Sequence, residues 1–230
     1  MSYELKCSLE WWMEHMTTAK ERTIPVGKQK PPVIIFTDGS CEPSCKSPHG
    51  IKAGIGVVIY DPIDDYAEAY GGNLPEDLVG LLSNYGAKQQ IVGQSEFIPC
   101  VFAKSILKLW KERIKGRLVV AFIDNDAARY GIIKGSSPSR DSAWILHEYW
   151  TAEAELECNT WTERVPSASN CADGPSRNSW DNLKDLCAVV RRRKIPKTFY
   201  KALAARWSKN MDGVRAPRVG LGAVCKYGFA

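Results

Sequence analysis

Two short apolar runs in this chain of 230 residues each lead to an aspartate. Val33 to Phe36 precedes Asp38, and Leu118 to Ile123 precedes Asp124; both runs are typical of buried strands. Because a carboxylate at the end of a buried strand loses hydration, it needs a positive partner. A divalent metal ion is the simplest such partner, and carboxylate oxygens suit Mg²⁺ or Mn²⁺. The sequence therefore predicts an acidic metal site where two strands end.

Two further acids complete the candidate set. Glu96 begins an apolar segment that predicts a helix from Glu96 to Lys111, with Ser95 as its N-cap. Pro99 is tolerated there if it lies in or near the first turn. Asp173 lies in a short polar loop near the end of the predicted fold.

Each acid also has an ordinary structural explanation. Asp38-Gly39 is a common turn pair, and Glu96 would be favoured by a helix dipole. Asp124 or Asn125 can cap the helix that follows, and Asp173 can belong to a cap led by Asn170. One shared site explains all four acids together, whereas these explanations require four separate coincidences.

The order of predicted elements indicates an α/β fold with a mixed sheet and helices on its faces. Strands are predicted at 33–37, 53–60, 65–72, 117–123 and 160–165, and helices at 8–20, 96–111, 126–134, 139–158 and 175–192. Residues 73–92 are expected to be irregular and to wrap an edge. The predicted organisation is an N-terminal helix and linker (1–32), a catalytic domain (33–190) and a basic C-terminal extension (191–230).

Charge separates an acidic body from a basic end. The net charge is +5, yet from residue 188 onward eleven Lys and Arg residues stand against Asp212 alone. Such an end is either a solvated tail or a phosphate-contacting arm. The cluster Arg191-Arg192-Arg193-Lys194 is the candidate for contact with a nucleic-acid backbone, and it also resembles a nuclear address.

Composition excludes several classes of protein. The longest apolar stretches are shorter than the roughly 20 residues of a membrane span, and the N-terminus lacks a secretory apolar region. The eight cysteines are therefore expected to be reduced, in a cytoplasmic or nuclear protein. Cys41, Cys45 and His49 lack a nearby fourth zinc ligand, so an ordinary loop is predicted there. No motif indicates a small-molecule cofactor.

Motifs around the four acids resemble the ribonuclease H family, and most specifically the RNase H domain that follows reverse transcriptase in retroelements. The resemblance covers about residues 33–187. Its stretches are Ile35–Ser40, Gly54–Tyr60, Gln94–Glu96, Phe122–Asp126 with Gly131–Ile133, and Val165–Arg177. The Leu9–Trp12 helix and the Ala172–Arg177 ending are similar to those of DIRS-like (tyrosine-recombinase-type) retroelements.

The resemblance implies an RNase H-like fold with a five-stranded mixed sheet, and hydrolysis of the RNA strand of RNA/DNA hybrids by two divalent cations. Asp38 would be the bridging ligand, Glu96 and Asp124 the flanking ligands, and Asp173 the more mobile fourth. Asp124 is preferred to Asp126 because it directly ends the apolar strand. Partners would be the hybrid and a reverse transcriptase or polyprotein.

Small polar residues beside the acids are candidates for contact with the 2′-OH groups of the hybrid. These candidates, each with a turn or cap role as the alternative, are Gly39, Ser40, Gln94, Ser95 and Asn125.

Two features depart from the family: the loop before the last acid, and the segments 73–92 and beyond 190, which lie outside the common core. Many members carry a histidine in the loop before the last acid, but the histidines here are His15, His49 and His147. Product release or proton handling is therefore expected to be slower or differently arranged. Two alternatives stay open: a DNA nuclease of the same fold, such as an integrase or resolvase, and a catalytically decayed nucleic-acid-binding module.

Overall fold

The computed structural model describes residues 9–10, 12–14, 16–17, 29–85, 91–156, 158–183, 186 and 189–212. The described residues between 9 and 17 are helical, which confirms the predicted N-terminal helix at those positions. The rest of that helix and residues 24–28 of the linker lie outside the described residues. Within the described ranges, every helix is too short or too polar to cross a membrane.

A six-stranded mixed sheet forms the centre of the fold. Its spatial order is β5-β4-β1-β2-β3-β6. The strands are β1 Val33–Pro43, β2 Ile51–Asp61, β3 Tyr66–Asn73, β4 Leu118–Ile123, β5 Asn159–Arg164 and β6 Val189–Lys194. Only β2 is antiparallel to its neighbours, so the carboxyl ends of the other five strands lie along one edge. The predicted α/β class and mixed sheet are confirmed, but the predicted number of five strands was wrong.

Helices cover both faces of the sheet. They are α1 Glu76–Tyr85, α2 Val92–Leu109, α3 Lys111–Ile114, α4 Asp126–Lys134, α5 Arg140–Ala154, α6 Asp173–Ser176 and α7 Lys197–Asp212. The large core includes the inward sides of α2, α5 and α7, among them Ile98, Ile145 and Trp207. On the opposite face a smaller cluster joins Ala172, just before α6, to Val58 and Ala69 of the sheet.

Helix α2 begins earlier than its sequence suggests. It starts at Val92, so Ser95 is not its N-cap; the Ser95 hydroxyl donates to the Val92 carbonyl at 2.8 Å. Pro99 therefore lies in the helix interior, where it cannot donate to the carbonyl of Ser95. That carbonyl lies against Gly39, at which an added Cβ would come within 2.3 Å of it. Helix α2 and strand β1 thus meet in direct backbone contact.

The segment 73–92, expected to be irregular, contains α1 instead. Leu78, Val79 and Leu82 are buried, and their spacing forms one apolar helical stripe. Gly80 weakens the helical signal in the sequence, but an added Cβ there would lie 2.5 Å from the His49 ring. Residues 86–90 lie outside the described ranges.

The predicted helix from Pro175 to Arg192 was also wrong, because the segment divides into several elements. It contains the end of α6, a 3₁₀ turn at Asp181–Leu183 and strand β6. Strand β6 pairs in parallel with β3, and α7 beyond it buries Tyr200, Leu203 and Trp207 in the large core. The predicted domain boundary between residues 190 and 191 falls inside β6, and the Arg191–Lys194 cluster is part of the sheet rather than a free tail.

Candidate metal centre

Three of the four predicted acids lie together where β4 ends beside the middle of β1. Asp38, Glu96 and Asp124 each present a carboxylate oxygen, and these oxygens lie within 4.8 Å of one another. Strands β1 and β4 are parallel neighbours with Thr37 beside Ile123, so Asp38 and Asp124 follow side by side. Glu96 enters from α2. Because β1 continues through Asp38-Gly39 to Pro43, the interpretation of that pair as a turn was wrong.

Two carboxylate oxygens in this group lack a hydrogen-bond donor. Oδ2 of Asp38 and Oδ1 of Asp124 are buried, and no partner for either is found in the described part of the chain. Buried acceptors without a donor are rare and destabilising. The donor set consists entirely of oxygen atoms, which suits a hard divalent cation such as Mg²⁺ or Mn²⁺. The residues present therefore fit the metal that the resemblance implies.

Burial raises the pKa of Asp38 to about 6. The charges of Asp124 and Asp173 act in the same direction, whereas a hydrogen bond from Ser176 and the charge of Arg177 oppose them. Ionised Asp38 is thus destabilised by its surroundings, and a positive charge placed in the group would reverse that effect.

The pKa of Glu96 is raised further, to about 8. Burial is again the largest cause, followed by the charges of Asp38 and Asp124. Two hydrogen bonds act against it: one from the backbone N–H of Gly39 at 3.3 Å, and one from the side chain of Asn125. The fold therefore holds Glu96 in place while opposing its ionisation.

Asp173 lies beside this group but outside it. It begins α6, on the sheet face opposite α2, and its side chain is 45% exposed. Its Oδ1 accepts from Nε of Arg177 at 3.0 Å. Its charge nevertheless acts on Asp38. The structure thus brings three of the four acids together and leaves the fourth nearby, in an ion pair.

Main-chain contacts with glycines of β2 and β3 hold the segment that carries Asp173 against the sheet. A Cβ added to any of three strand glycines would lie only 2.1–2.3 Å from a carbonyl oxygen of this segment. The pairs are Gly54 with Ser176, Gly56 with Ala172, and Gly71 with Pro175. The side chain of Asn170 donates to the Thr37 carbonyl at 3.0 Å, and that of Ser40 donates to the Ser176 carbonyl at 2.9 Å. Sequence reasoning missed these glycines, although glycine inside a strand signals close backbone approach.

The predicted substrate-contacting residues have structural roles around the acids. Ser40, Gln94 and Ser95 are buried, and Nε2 of Gln94 donates to Asp141 at 3.5 Å. Gly39 provides the N–H that binds Glu96. Oδ1 of Asn125 accepts from the Ala128 N–H at 3.0 Å and so caps α4, as its alternative interpretation stated. Contact of these residues with a substrate stays a prediction.

The rival acid, Asp126, is exposed and lies outside the group of three. It forms ion pairs with Arg129 at 3.3 Å and with Arg164 at 3.4 Å. The geometry therefore places Asp124, and not Asp126, with Asp38 and Glu96.

The basic strand β6 lies three strands away from β1 in the sheet. Arg193 pairs with Glu68 at 3.1 Å, and Arg191 lies over the Tyr66 ring. For Arg192 and Lys194, no ion pair with another described residue is found. Contact of this cluster with a nucleic-acid backbone stays a prediction.

Comparison with known proteins finds similarity only among solved structures; no protein-family model and no curated protein matches. LC11-RNase H1, isolated from compost by a metagenomic approach, is 18% identical, with 66% of this chain and 97% of that chain covered and a TM-score of 0.47. An N-terminal RNase H domain from Mycobacterium tuberculosis is 16% identical, with coverage of 65% and 94% and a TM-score of 0.42. The prototype foamy virus protease-reverse transcriptase is 15% identical, with coverage of 71% and 22% and a TM-score of 0.41.

Proposed function

We propose that this chain is a metal-dependent ribonuclease H, an endonuclease that hydrolyses the RNA strand of RNA/DNA hybrids. One observation carries the proposal: Asp38, Glu96 and Asp124 converge from three elements, and two of their buried oxygens lack a donor. These residues, with Asp173 as the fourth ligand, would hold two divalent cations, Mg²⁺ or Mn²⁺.

The chemistry is phosphodiester hydrolysis. When bound, the divalent cations would lower the pKa of the attacking water and stabilise the charge on the leaving oxygen. The chain's own residues supply position. The Gly39 N–H and the Asn125 side chain hold Glu96, and the parallel pairing of β1 with β4 fixes Asp38 beside Asp124. Oδ2 of Asp38 and Oδ1 of Asp124 keep their lone pairs available because no described protein group donates to them.

The proposal includes the origin and setting of the chain. Derivation from a retroelement reverse transcriptase or polyprotein is supported by the motifs Ile35–Ser40 and Ala172–Arg177. An RNA/DNA hybrid would be the partner, in the cytoplasm or the nucleus.

The test is a cleavage assay with a matched pair of variants. The purified chain, Asp124→Asn and Asp126→Asn are incubated with labelled RNA/DNA hybrid, double-stranded RNA and double-stranded DNA, in Mg²⁺, Mn²⁺ or EDTA. We expect metal-dependent cleavage of only the RNA strand of the hybrid, lost in Asp124→Asn and retained in Asp126→Asn.

Two results would overturn the proposal. Cleavage of double-stranded DNA in preference to the hybrid would indicate a DNA nuclease of the same fold. If the folded protein cleaves nothing in any condition yet binds the hybrid, the chain is a nucleic-acid-binding module that has lost its activity.

A further inference from the structure

Arg177 bridges two carboxylates at the rim of the acidic group. Its Nε lies 3.0 Å from Oδ1 of Asp173, and its Nη1 contacts the carboxylate of Glu42. The three side chains are between 45% and 51% exposed, so water and ions reach all of them. Among the described residues, Arg177 is the ion-pair partner of Asp173.

We propose that Arg177 is a positioning residue that holds Asp173 outside the acidic group and releases it when a divalent cation binds there. This inference rests on the proposed function, because it treats Asp173 as the fourth ligand. A guanidinium group offers several donors in a planar fork and can therefore hold two carboxylates at once. Glu42 remains as a partner after Asp173 leaves, so Arg177 keeps its charge compensated on release.

The position of Glu42 follows from the alternation of side chains along β1. Every second residue of a strand points to the same face, so Asp38, Ser40 and Glu42 share one face of the sheet, on which α6 also lies. Arg177 stands at the end of α6 and reaches Glu42 from above that face. Arg177, bound to both Glu42 and Asp173, therefore forms a clamp that connects β1, which carries Asp38, to α6, which carries Asp173.

Backbone contacts limit the motion that release requires. Carbonyls of the α6 segment lie directly on Gly54, Gly56 and Gly71, so the main chain beside Asp173 is fixed against the sheet. Release is then a rotation of one side chain rather than movement of a loop. Because exposed ion pairs are weak, holding Asp173 away should lower metal affinity by a factor of only about 2 to 5.

The test measures Mn²⁺ binding rather than catalysis, by isothermal titration calorimetry at pH 8 with MnCl₂. Arg177→Lys keeps the positive charge but loses the forked guanidinium group. Its effect on Mn²⁺ affinity is measured in two backgrounds: the chain with Asp173 intact and the chain that carries Asp173→Asn. We expect Arg177→Lys to raise Mn²⁺ affinity about 2- to 5-fold with Asp173 present and to have no effect with Asp173→Asn. Arg129→Lys, whose partner Asp126 lies outside the acidic group, is the matched control and should change nothing.

A second substitution tests the role of Glu42. Glu42→Gln leaves Arg177 with Asp173 alone, so it should lower Mn²⁺ affinity, which is the opposite direction to Arg177→Lys. The clamp is overturned if Arg177→Lys shifts affinity equally in both backgrounds, since the effect would then not act through Asp173. Absence of Mn²⁺ binding by the wild-type chain would instead overturn the metal site itself, and the clamp with it.

Discussion

Ionisation of Glu96 should lower the free energy of unfolding, because its carboxylate is buried beside two other acids. Burial and the charges of Asp38 and Asp124 raise its pKa from the ordinary 4.5 to about 8. In the unfolded chain the same carboxyl ionises near 4.5. Between these two pH values the folded protein retains a proton that the unfolded chain has released. In EDTA, the free energy of unfolding should therefore fall as the pH rises from about 4.5 to 8.

Glu96→Gln removes this effect while keeping the shape of the side chain. The pKa difference of about 3.5 units corresponds to about 5 kcal/mol at most, at 1.36 kcal/mol per unit. We expect Glu96→Gln to be more stable than the wild-type chain by about 2–5 kcal/mol at pH 8 in EDTA. At pH 5 the carboxyl is protonated in the folded wild-type chain and only partly ionised in the unfolded chain, so the two proteins should be equally stable to within about 1 kcal/mol.

Urea unfolding followed by tryptophan fluorescence measures this difference, with each protein unfolded at pH 5 and at pH 8 in EDTA. Glu155→Gln is the control; Glu155 is exposed on the surface, where its partner is Lys108, so its loss should cost less than about 1 kcal/mol at either pH. Addition of Mn²⁺ at pH 8 should stabilise the wild-type chain more than Glu96→Gln. The reasoning is refuted if wild type and Glu96→Gln show the same dependence of stability on pH in EDTA.

Two further substitutions test the packing around the site. Gly56→Ala places a Cβ within 2.2 Å of the Ala172 carbonyl, so hybrid cleavage should fall at least about tenfold, whereas Gly93→Ala, with 3.7 Å of clearance, should be neutral in the same assay. Lys104→Met removes the ammonium group that pairs with buried Glu153 at 2.5 Å, so urea unfolding should show a loss of about 3–5 kcal/mol. The double variant Lys104→Met/Glu153→Leu should recover most of that loss; no recovery would contradict the reasoning.

Local sequence signals predicted the elements whose causes are local. Helix α4 was expected from residue 126 to 134, and it has the Asn125 cap at its start and Gly135 in the left-handed conformation at its end. The apolar runs that form β2 and β4 were likewise found from their composition and boundaries. In both kinds of element, the residues that decide the structure lie within the element or next to it.

The elements that were missed depend on distant partners. Strand β6 contains four consecutive cations, which alone indicate a solvated tail, but Val190 packs on the small core and Arg193 pairs with Glu68 of β3. Helix α2 was predicted to begin four residues late because Ser95 and Pro99 together resemble a helix start. The true start depends on tertiary packing, because the first turns of α2 lie against Gly39 of β1.

The same distinction holds for the candidate site. The convergence of Asp38 and Asp124 follows from parallel strands that share an edge, and this could be foreseen from the sequence. The position of Asp173 could not, since it depends on glycines of two other strands and on Arg177. Burial of the small polar residues beside the acids was equally invisible, because it results from tertiary packing.

The backbone contact between Ser95 and Gly39 separates the shape of the site from its chemistry. The close approach of α2 to β1 requires main-chain contact and the absence of a Cβ at Gly39, whereas the carboxylates add one hydrogen bond of 3.3 Å, from the Gly39 N–H to Glu96. Replacement of an acid by its amide should therefore leave the architecture intact and relieve repulsion within the group. The requirements of folding therefore do not favour the acids: without a bound cation, a chain that lacks Glu96 should be the more stable protein at pH 8.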